Sequence, residues 1–263
     1  MTNQRAPGPS GAGNRGANPQ LSVVVPIHGE LEATQRFLVS FDRQTRSCPL
    51  TFVDDRSPDD SVAWLRADGR AVEEPSERQW FNGVVNCAVR TCSTPFLGVL
   101  NNDLVLGERF VEQTIAAFEG TDYDLLVPLT VAGEGQEALD RSRRFRIATL
   151  WRREGWCMLF RHASVRALPP IPEDLRLWYG DTWLFHHAWQ AGMKVGVMLH
   201  NRVLHERSRT IDAVQGKGKR THPVIAADEA AFREKYSWVR KRRDLGLVRL
   251  IPRPLRKIVL PHY

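Results

Sequence analysis

Residues 96–106 read Phe96-Leu97-Gly98-Val99-Leu100-Asn101-Asn102-Asp103-Leu104-Val105-Leu106. The short apolar run 96–100 has the length and composition of a buried strand. The polar tripeptide 101–103 then falls at its carboxyl end, where open α/β sheets bind ligands. A carboxylate at that point, Asp103, is placed to hold a hard cation and through it a diphosphate. A polar turn that merely ends the strand is the competing reading.

Around this strand, short apolar runs alternate with helix-spaced segments. Residues 22–27 read as a first strand, followed by a helix over 30–41 with Leu31, Phe37, Leu38 and Phe41 on one face. A second strand covers 50–53 and ends in Asp54-Asp55. Ser57-Pro58-Asp59-Asp60 has the form of a helix start, with Ser57 as cap and Pro58 in the first helical position. That helix carries Val62 and Leu65 and stops near Gly69. Further helices are expected over 83–92 and 108–118, and a strand over 125–129. Residues 130–146 read as a mobile surface loop containing Gly133, Gly135 and the basic cluster Arg141, Arg143, Arg144 and Arg146. A strand follows over 156–161, then a helix over 180–191 capped by Gly192, a strand over 194–199, and a helix over 225–238. This alternation predicts an α/β fold with a mostly parallel central sheet flanked by helices.

The chain has 263 residues, with 42% hydrophobic and 25% charged residues, ordinary for a globular protein. No run approaches the roughly 18–20 apolar residues of a membrane span. Residues 1–20, rich in Gly, Pro, Asn and Ala, read as a disordered leader without the apolar centre of a signal peptide. Cys48, Cys87, Cys92 and Cys157 form no Cys-x-x-Cys pair and read as reduced thiols, so a cytoplasmic location is expected. Sixteen Lys or Arg and six Asp or Glu lie between Arg202 and Lys257, a net of +10 against +7 for the whole chain. The basic excess therefore belongs to the C-terminal quarter. It suits an anionic partner such as a nucleotide diphosphate, DNA or a membrane surface, or forms a solvated tail over 241–263.

Six segments in order resemble the family 2 glycosyltransferases of the GT-A fold. Val23-Val24-Val25-Pro26-Ile27-His28-Gly29-Glu30 is similar to the opening strand and turn. Phe52-Val53-Asp54-Asp55-Arg56-Ser57 is close to Val-Asp-Asp-Gly-Ser. Asn86 stands on a helix ahead of the 96–100 strand, and Asn101-Asn102-Asp103 stands in place of the Asp-x-Asp motif. Gly180-Asp181-Thr182-Trp183-Leu184 with Ala191-Gly192-Met193-Lys194-Val195 resembles the acidic-pair segment and the strand behind it. His205-Glu206-Arg207-Ser208 resembles the late metal-binding histidine segment. The resemblance runs over about 21–238.

The resemblance implies a Rossmann-like nucleotide-sugar half, 21–106, and an acceptor half, 107–240, within one domain over 21–240. It implies an inverting transfer from a nucleotide-diphosphate sugar, a UDP-sugar favoured, to a hydroxyl of a glycan, protein or DNA. Mn²⁺ or Mg²⁺ would be held by Asp103 and His205, with His200 as the rival ligand. Asn102 brings no charge where the family often has a second Asp. Pro26, His28, Glu30, Asp54, Asp55, Asn86, Asn101 and Asn102 are the implied donor contacts. One of the two Asp residues meets the nucleobase, while Asp55 or Ser57 could instead cap the following helix. Asp181 is the implied general base, or alternatively an acid complementing a helix N-terminus. Gly180 replaces the first acid of the usual Glu-Asp pair. Trp178, Tyr179 and Trp183 are candidate acceptor contacts, equally suited to core packing. Three other readings stay in view. The departures at Ile27, Asn102 and Gly180 keep open an inactive nucleotide- or nucleic-acid-binding relative. A nucleotidyltransferase would need a Gly-rich basic loop after the first strand, and a dinucleotide-binding oxidoreductase would need Gly-x-Gly-x-x-Gly there. His28-Gly29-Glu30 provides neither.

Overall fold

The structure is a computed structural model that describes residues 18–131, 139–141, 143–148, 155–205 and 222–239. Most of the expected leader, Gly133 and Gly135, Glu206-Arg207-Ser208, Lys217-Gly218-Lys219-Arg220 and the tail 241–263 lie outside the described residues. The strands are β1 (Leu21–Ile27), β2 (Leu50–Asp54), β3 (Ala71–Glu73), β4 (Phe96–Leu100), β5 (Leu104–Leu106), β6 (Leu125–Val131), β7 (Ile147–Ala148), β8 (Cys157–Arg161) and β9 (Val195–His205). The helices are α1 (Leu31–Asp42), α2 (Ser61–Ala67), α3 (Trp80–Thr91), α4 (Phe110–Glu119), α5 (His162–Arg166), α6 (Gly180–Gln190) and α7 (Pro223–Lys235).

The strands form one sheet in the order β3-β2-β1-β4-β8-β6-β9-β5, with β7 paired to β9. The mostly parallel expectation holds: β1, β2, β3, β4, β6 and β9 run one way, while β5, β7 and β8 oppose them. Along β4, alternate side chains serve two cores, as a strand's period of two requires. Phe96 and Leu100 join Phe37, Phe52, Phe110 and Phe118 on the α1 and α4 side. Leu97 and Val99 join Val85, Phe160, Leu184 and Phe232 on the α3, α6 and α7 side.

Only three residues separate β4 from β5, yet β8, β6 and β9 lie between them in the sheet. Four Cα steps reach at most about 14 Å, whereas four strand intervals need about 19 Å. The sheet must therefore fold over on itself. The break is in β9: Pro128 pairs with Met198, but Leu129 pairs with Arg202. The residues skipped are pinned, His200 Nδ1 lying 3.0 Å from the Arg146 carbonyl and Asn201 Nδ2 donating to the Phe110 carbonyl at 3.1 Å. A bulge of this kind bends a strand and re-aims its side chains. Here it brings His205 opposite Leu104, beside Asp103.

Several sequence expectations need correction. The second helix begins at Ser61, not at Ser57. The Ser57 hydroxyl instead accepts the Gly29 N–H at 2.7 Å, and Asp59 accepts the Ser61 N–H at 3.1 Å. The last strand runs to His205 rather than stopping at 199, because it continues past the bulge. Within the expected surface loop 130–146, Thr130 and Val131 belong to β6. Leu139 is buried there too, and Asp140 accepts the Glu108 N–H at 2.8 Å.

Candidate active site

The carboxyl ends of β1, β2 and β4 open into a cavity of about 600 Å³. Its lining includes Pro26, His28, Asp55, Asn101, Asn102, Asp103, Trp178, Tyr179, Asp181 and His205. The two acids on which the sequence reading depends, Asp103 and Asp181, thus face one cavity. Glu30, Asp54, Asn86, Trp183 and His200 are absent from its lining.

The reasons for those absences are local. Asp54 closes the turn after β2, its carboxylate accepting the N–H groups of Arg56 and Ser57 at 3.1 Å each. Asn86 grips the backbone of Ile171 with both ends of its amide, at 2.8 and 2.9 Å. Trp183 is buried, donates to the Pro169 carbonyl at 3.2 Å and packs on Tyr236 and Trp238. His200 sits at the β9 bulge, where burial lowers its pKa from the ordinary 6.5. Glu30 starts α1 in a left-handed conformation, φ 63°.

At one end of the cavity, Asp55 Oδ1 accepts the N–H groups of Gln79 and Trp80 at 2.7 and 2.8 Å. Its Oδ2 accepts Arg78 Nε–H at 3.1 Å. His28 Nδ1 donates to the Asp55 carbonyl at 2.8 Å, which leaves Nε2 to accept from Arg78 Nη2 at 3.1 Å. The Arg78 guanidinium also covers the Trp80 ring at 3.5 Å from its centroid. Asp55, Arg78, His28 and Trp80 therefore form one preassembled unit of charge, donors and aromatic surface. Arg78 escapes sequence reading because it lies in a polar connection with no apolar period, and Trp80 because it opens α3 ahead of the expected helix start at 83.

At the middle, Asp103 is buried, and its Oδ2 lies 3.2 Å from His205 Nε2. That approach lacks hydrogen-bond alignment. Neither Asp103 Oδ1 nor His205 Nε2 has a hydrogen-bond partner among the described residues. Two ligand-type atoms, one from each side chain, thus lack hydrogen bonds at the cavity wall. Trp156 stacks on the His205 ring with centroids 5.1 Å apart, and its carbonyl accepts the Asn101 N–H at 2.9 Å. Asn102 turns its Nδ2 into the scaffold, toward Thr34 Oγ1 at 2.9 Å and the Gly29 carbonyl at 3.3 Å. It ties the β4 end to the β1 turn. A carboxylate and an imidazole suit Mn²⁺, and the carboxylate also suits Mg²⁺. Among the described residues no group of three or more His, Cys, Asp or Glu is arranged to hold a metal ion. A cation here would need further ligands from a bound anion or water.

At the other end, α6 starts at Gly180 and carries Asp181 in its first turn, with Trp178 and Tyr179 just before it. His222 and Ile225, at the start of α7, complete this wall. The Gly180 position leaves no room for an acid: a Cβ there would lie 2.0 Å from Asn82 Oδ1. The Asp181 side chain turns back on its own helix, Oδ1 accepting the Thr182 N–H at 2.6 Å. Among the described residues, no helix is long and apolar enough to cross a membrane.

The family model for glycosyl transferase family 2 matches residues 22–170, more than half of the chain. No curated protein matches the sequence. Solved structures share the fold. One is GalNAc-T7 with UDP, GalNAc and Mn²⁺, at 15% identity and TM-score 0.61, covering 84% of this chain and 49% of that one. The present chain thus spans about half of that protein's length. The mannosyltransferase PcManGT of Pyrobaculum calidifontis, in complex with GDP-Man and Mn²⁺, gives 15% identity and TM-score 0.58 over 89% and 74% of the two chains. TarS 1–349 of S. aureus gives 13% and 0.56 over 88% and 77%.

Proposed function

The chain belongs to glycosyl transferase family 2, and from that premise we propose that it transfers a sugar, with inversion, from a nucleotide-diphosphate donor to an acceptor hydroxyl in a metal-dependent reaction. The observation that carries the proposal is the Asp103–His205 contact, with Asp103 Oδ1 and His205 Nε2 lacking hydrogen bonds, on the same cavity as Asp181. Asp103 and His205 would hold Mn²⁺ or Mg²⁺ against the donor diphosphate. Bound there, the cation supplies stabilisation of the charge that develops on the departing diphosphate.

The remaining roles fall to the chain's own groups. Asp55, His28, Arg78 and Trp80 receive the nucleoside, with Pro26 and Asn101 beside it. Asp55 retains acceptor capacity on Oδ2 for a base N–H, such as that of uracil or guanine. The guanidinium of Arg78 brings positive charge to the phosphate side. Asp181 takes the proton of the acceptor hydroxyl as that oxygen attacks the anomeric carbon. One carboxylate suffices for a single displacement with inversion. Trp178 and Tyr179 offer ring faces to the acceptor. In this reading 21–106 supplies most of the donor side, and 107–240 the base and acceptor wall.

The test is nucleoside diphosphate release from UDP- and GDP-sugars, with and without Mn²⁺. Release that needs Mn²⁺, falls about 100-fold or more in Asp181→Asn, and leaves donor binding intact in that variant supports the proposal. Full activity in Asp181→Asn refutes the assigned base.

A further inference from the structure

We infer that Asp228 on α7 is a positioning residue that, through three backbone amides, fixes the loop delivering Trp178 and Asp181 to the cavity. The inference rests on the transferase reading above. Asp228 is fully buried and does not line the cavity. Its Oδ1 accepts the Arg176 N–H at 3.0 Å, and its Oδ2 accepts those of Leu177 and Trp178 at 2.7 and 2.8 Å. No described residue forms an ion pair with it. A buried carboxylate is costly unless hydrogen-bonded, and here consecutive loop amides meet the charge. Charge-assisted bonds of this kind are about twice as strong as neutral ones.

The same loop is gripped from the opposite element. Asn82 of α3 donates to the carbonyls of Leu175 and Trp178 at 2.9 and 3.1 Å, and its backbone N–H to that of Arg176 at 3.0 Å. One turn beyond Asp228, Phe232 stacks on Tyr179 at 4.2 Å with the rings 13° apart. Tyr179 has φ 64°, a left-handed conformation that persists in a non-glycine residue only where its surroundings impose it. Its carbonyl accepts the Trp183 N–H at 2.8 Å and so opens α6, which carries Asp181 in its first turn. Residues 225, 228 and 232 share one face of α7, and His222 caps its start. That face lines the cavity at its start and clamps the loop further on. The ends of β1, β2 and β4 make none of these contacts; on the donor side they come from Asn82 of α3 alone.

The test uses the full chain with Mn²⁺ and whichever of UDP-GlcNAc, UDP-glucose and GDP-mannose raises its melting temperature most. Nucleoside diphosphate release is the kinetic readout, and hydrogen exchange at residues 176–178 the structural one. Asp228→Asn keeps the volume but sets an NH₂ group against the loop amides. Misplacing a reacting group by about 1 Å costs about 100-fold. The expected result is therefore a kcat lowered about 100-fold with donor KM within about threefold of wild type. Exchange should quicken at 176–178 and stay unchanged in β1 and β4. Phe232→Leu, which keeps the core filled, should show the same split with about a tenfold loss, the positional loss being smaller when one contact of the clamp goes. Unchanged kcat, or a donor KM that rises in step with the loss, overturns the inference. If Asp228→Asn does not fold, Phe232→Leu decides by the same criteria. If wild type releases no nucleoside diphosphate from any of the three donors, the transferase reading fails. The exchange arm then still decides the clamp: faster exchange in Asp228→Asn upholds it and unchanged exchange refutes it.

Discussion

Replacing Gly180 by alanine sets two effects of opposite sign against each other. Alanine in a helix is favoured over glycine by about 1 kcal/mol, so propensity alone predicts a more stable protein. The structure predicts the reverse. A Cβ at 180 would lie 2.0 Å from Asn82 Oδ1, 2.5 Å from its Cγ and 2.9 Å from its Nδ2, where carbon contacts settle near about 3.5–4.0 Å. Asn82 is 2% exposed and cannot swing into solvent without releasing the carbonyls of Leu175 and Trp178. Each buried partner left unsatisfied costs about 1–3 kcal/mol. Two such losses, less the propensity gain, leave a net destabilisation of about 3 kcal/mol. At about 2–4 °C per kcal/mol that is a fall of about 6–12 °C in melting temperature. Thermal melts and urea titrations of wild type, Gly180→Ala, Asn82→Ala and the double variant form the assay. With the Asn82 amide gone the overlap disappears, so the double variant should melt with Asn82→Ala or slightly above it. Gly180→Ala melting at or above wild type, or a double variant showing the sum of the single losses, would show that the Asn82 amide does not exclude a side chain at 180.

Three further outcomes are expected. Arg78→Ala should weaken nucleotide-sugar binding about tenfold, as loss of one charge-assisted contact implies, read by titration calorimetry; Arg78→Lys should not restore it, because an ammonium cannot bridge Asp55 and His28 while covering Trp80. Asp54→Ala should lower stability by about 1–2 kcal/mol through loss of the turn cap, with Mn²⁺-dependent turnover retained in the folded fraction. Burial lowers the pKa of His200, against the opposing pull of its hydrogen bond to the Arg146 carbonyl. The unfolded chain then takes up that proton more readily than the folded one. Stability contributed by the neutral imidazole is present above the ordinary value of 6.5 and is lost as pH falls below it. A urea midpoint that falls between pH 7 and 5, less steeply in His200→Gln, is the expected measurement.

The strands that lie in the middle of the sheet were legible because each is a continuous apolar run, as in β1, β4 and β6. β3 was not, because its three residues are too few to show a period. The antiparallel insertion of β8 could not be read either, since strand direction depends on distant pairing. β9 looked shorter than it is because His200, Asn201 and Arg202 interrupt its apolar run at the bulge. Within the site, the family-like motifs picked out Asp103, Asp181 and His205 as residues that line the cavity. They could not show that Asn86 and Trp183 spend their polar atoms on backbone elsewhere. Asp228 did carry a signal: an acid on the same helical face as Ile225 and Phe232 must have buried partners. Gly180 looked like a lost acid, and Asn82, far away in sequence, is the reason it is absent.

In the proposed function Asp103 and His205 are two ligands of one divalent cation. Loss of the free Mn²⁺ paramagnetic resonance signal, titrated against protein with UDP present, measures this directly. Wild type and Asp181→Asn should each bind one Mn²⁺, whereas Asp103→Ala and His205→Ala should leave the signal free. Mn²⁺ binding by Asp103→Ala equal to that of wild type would rule out this cation site.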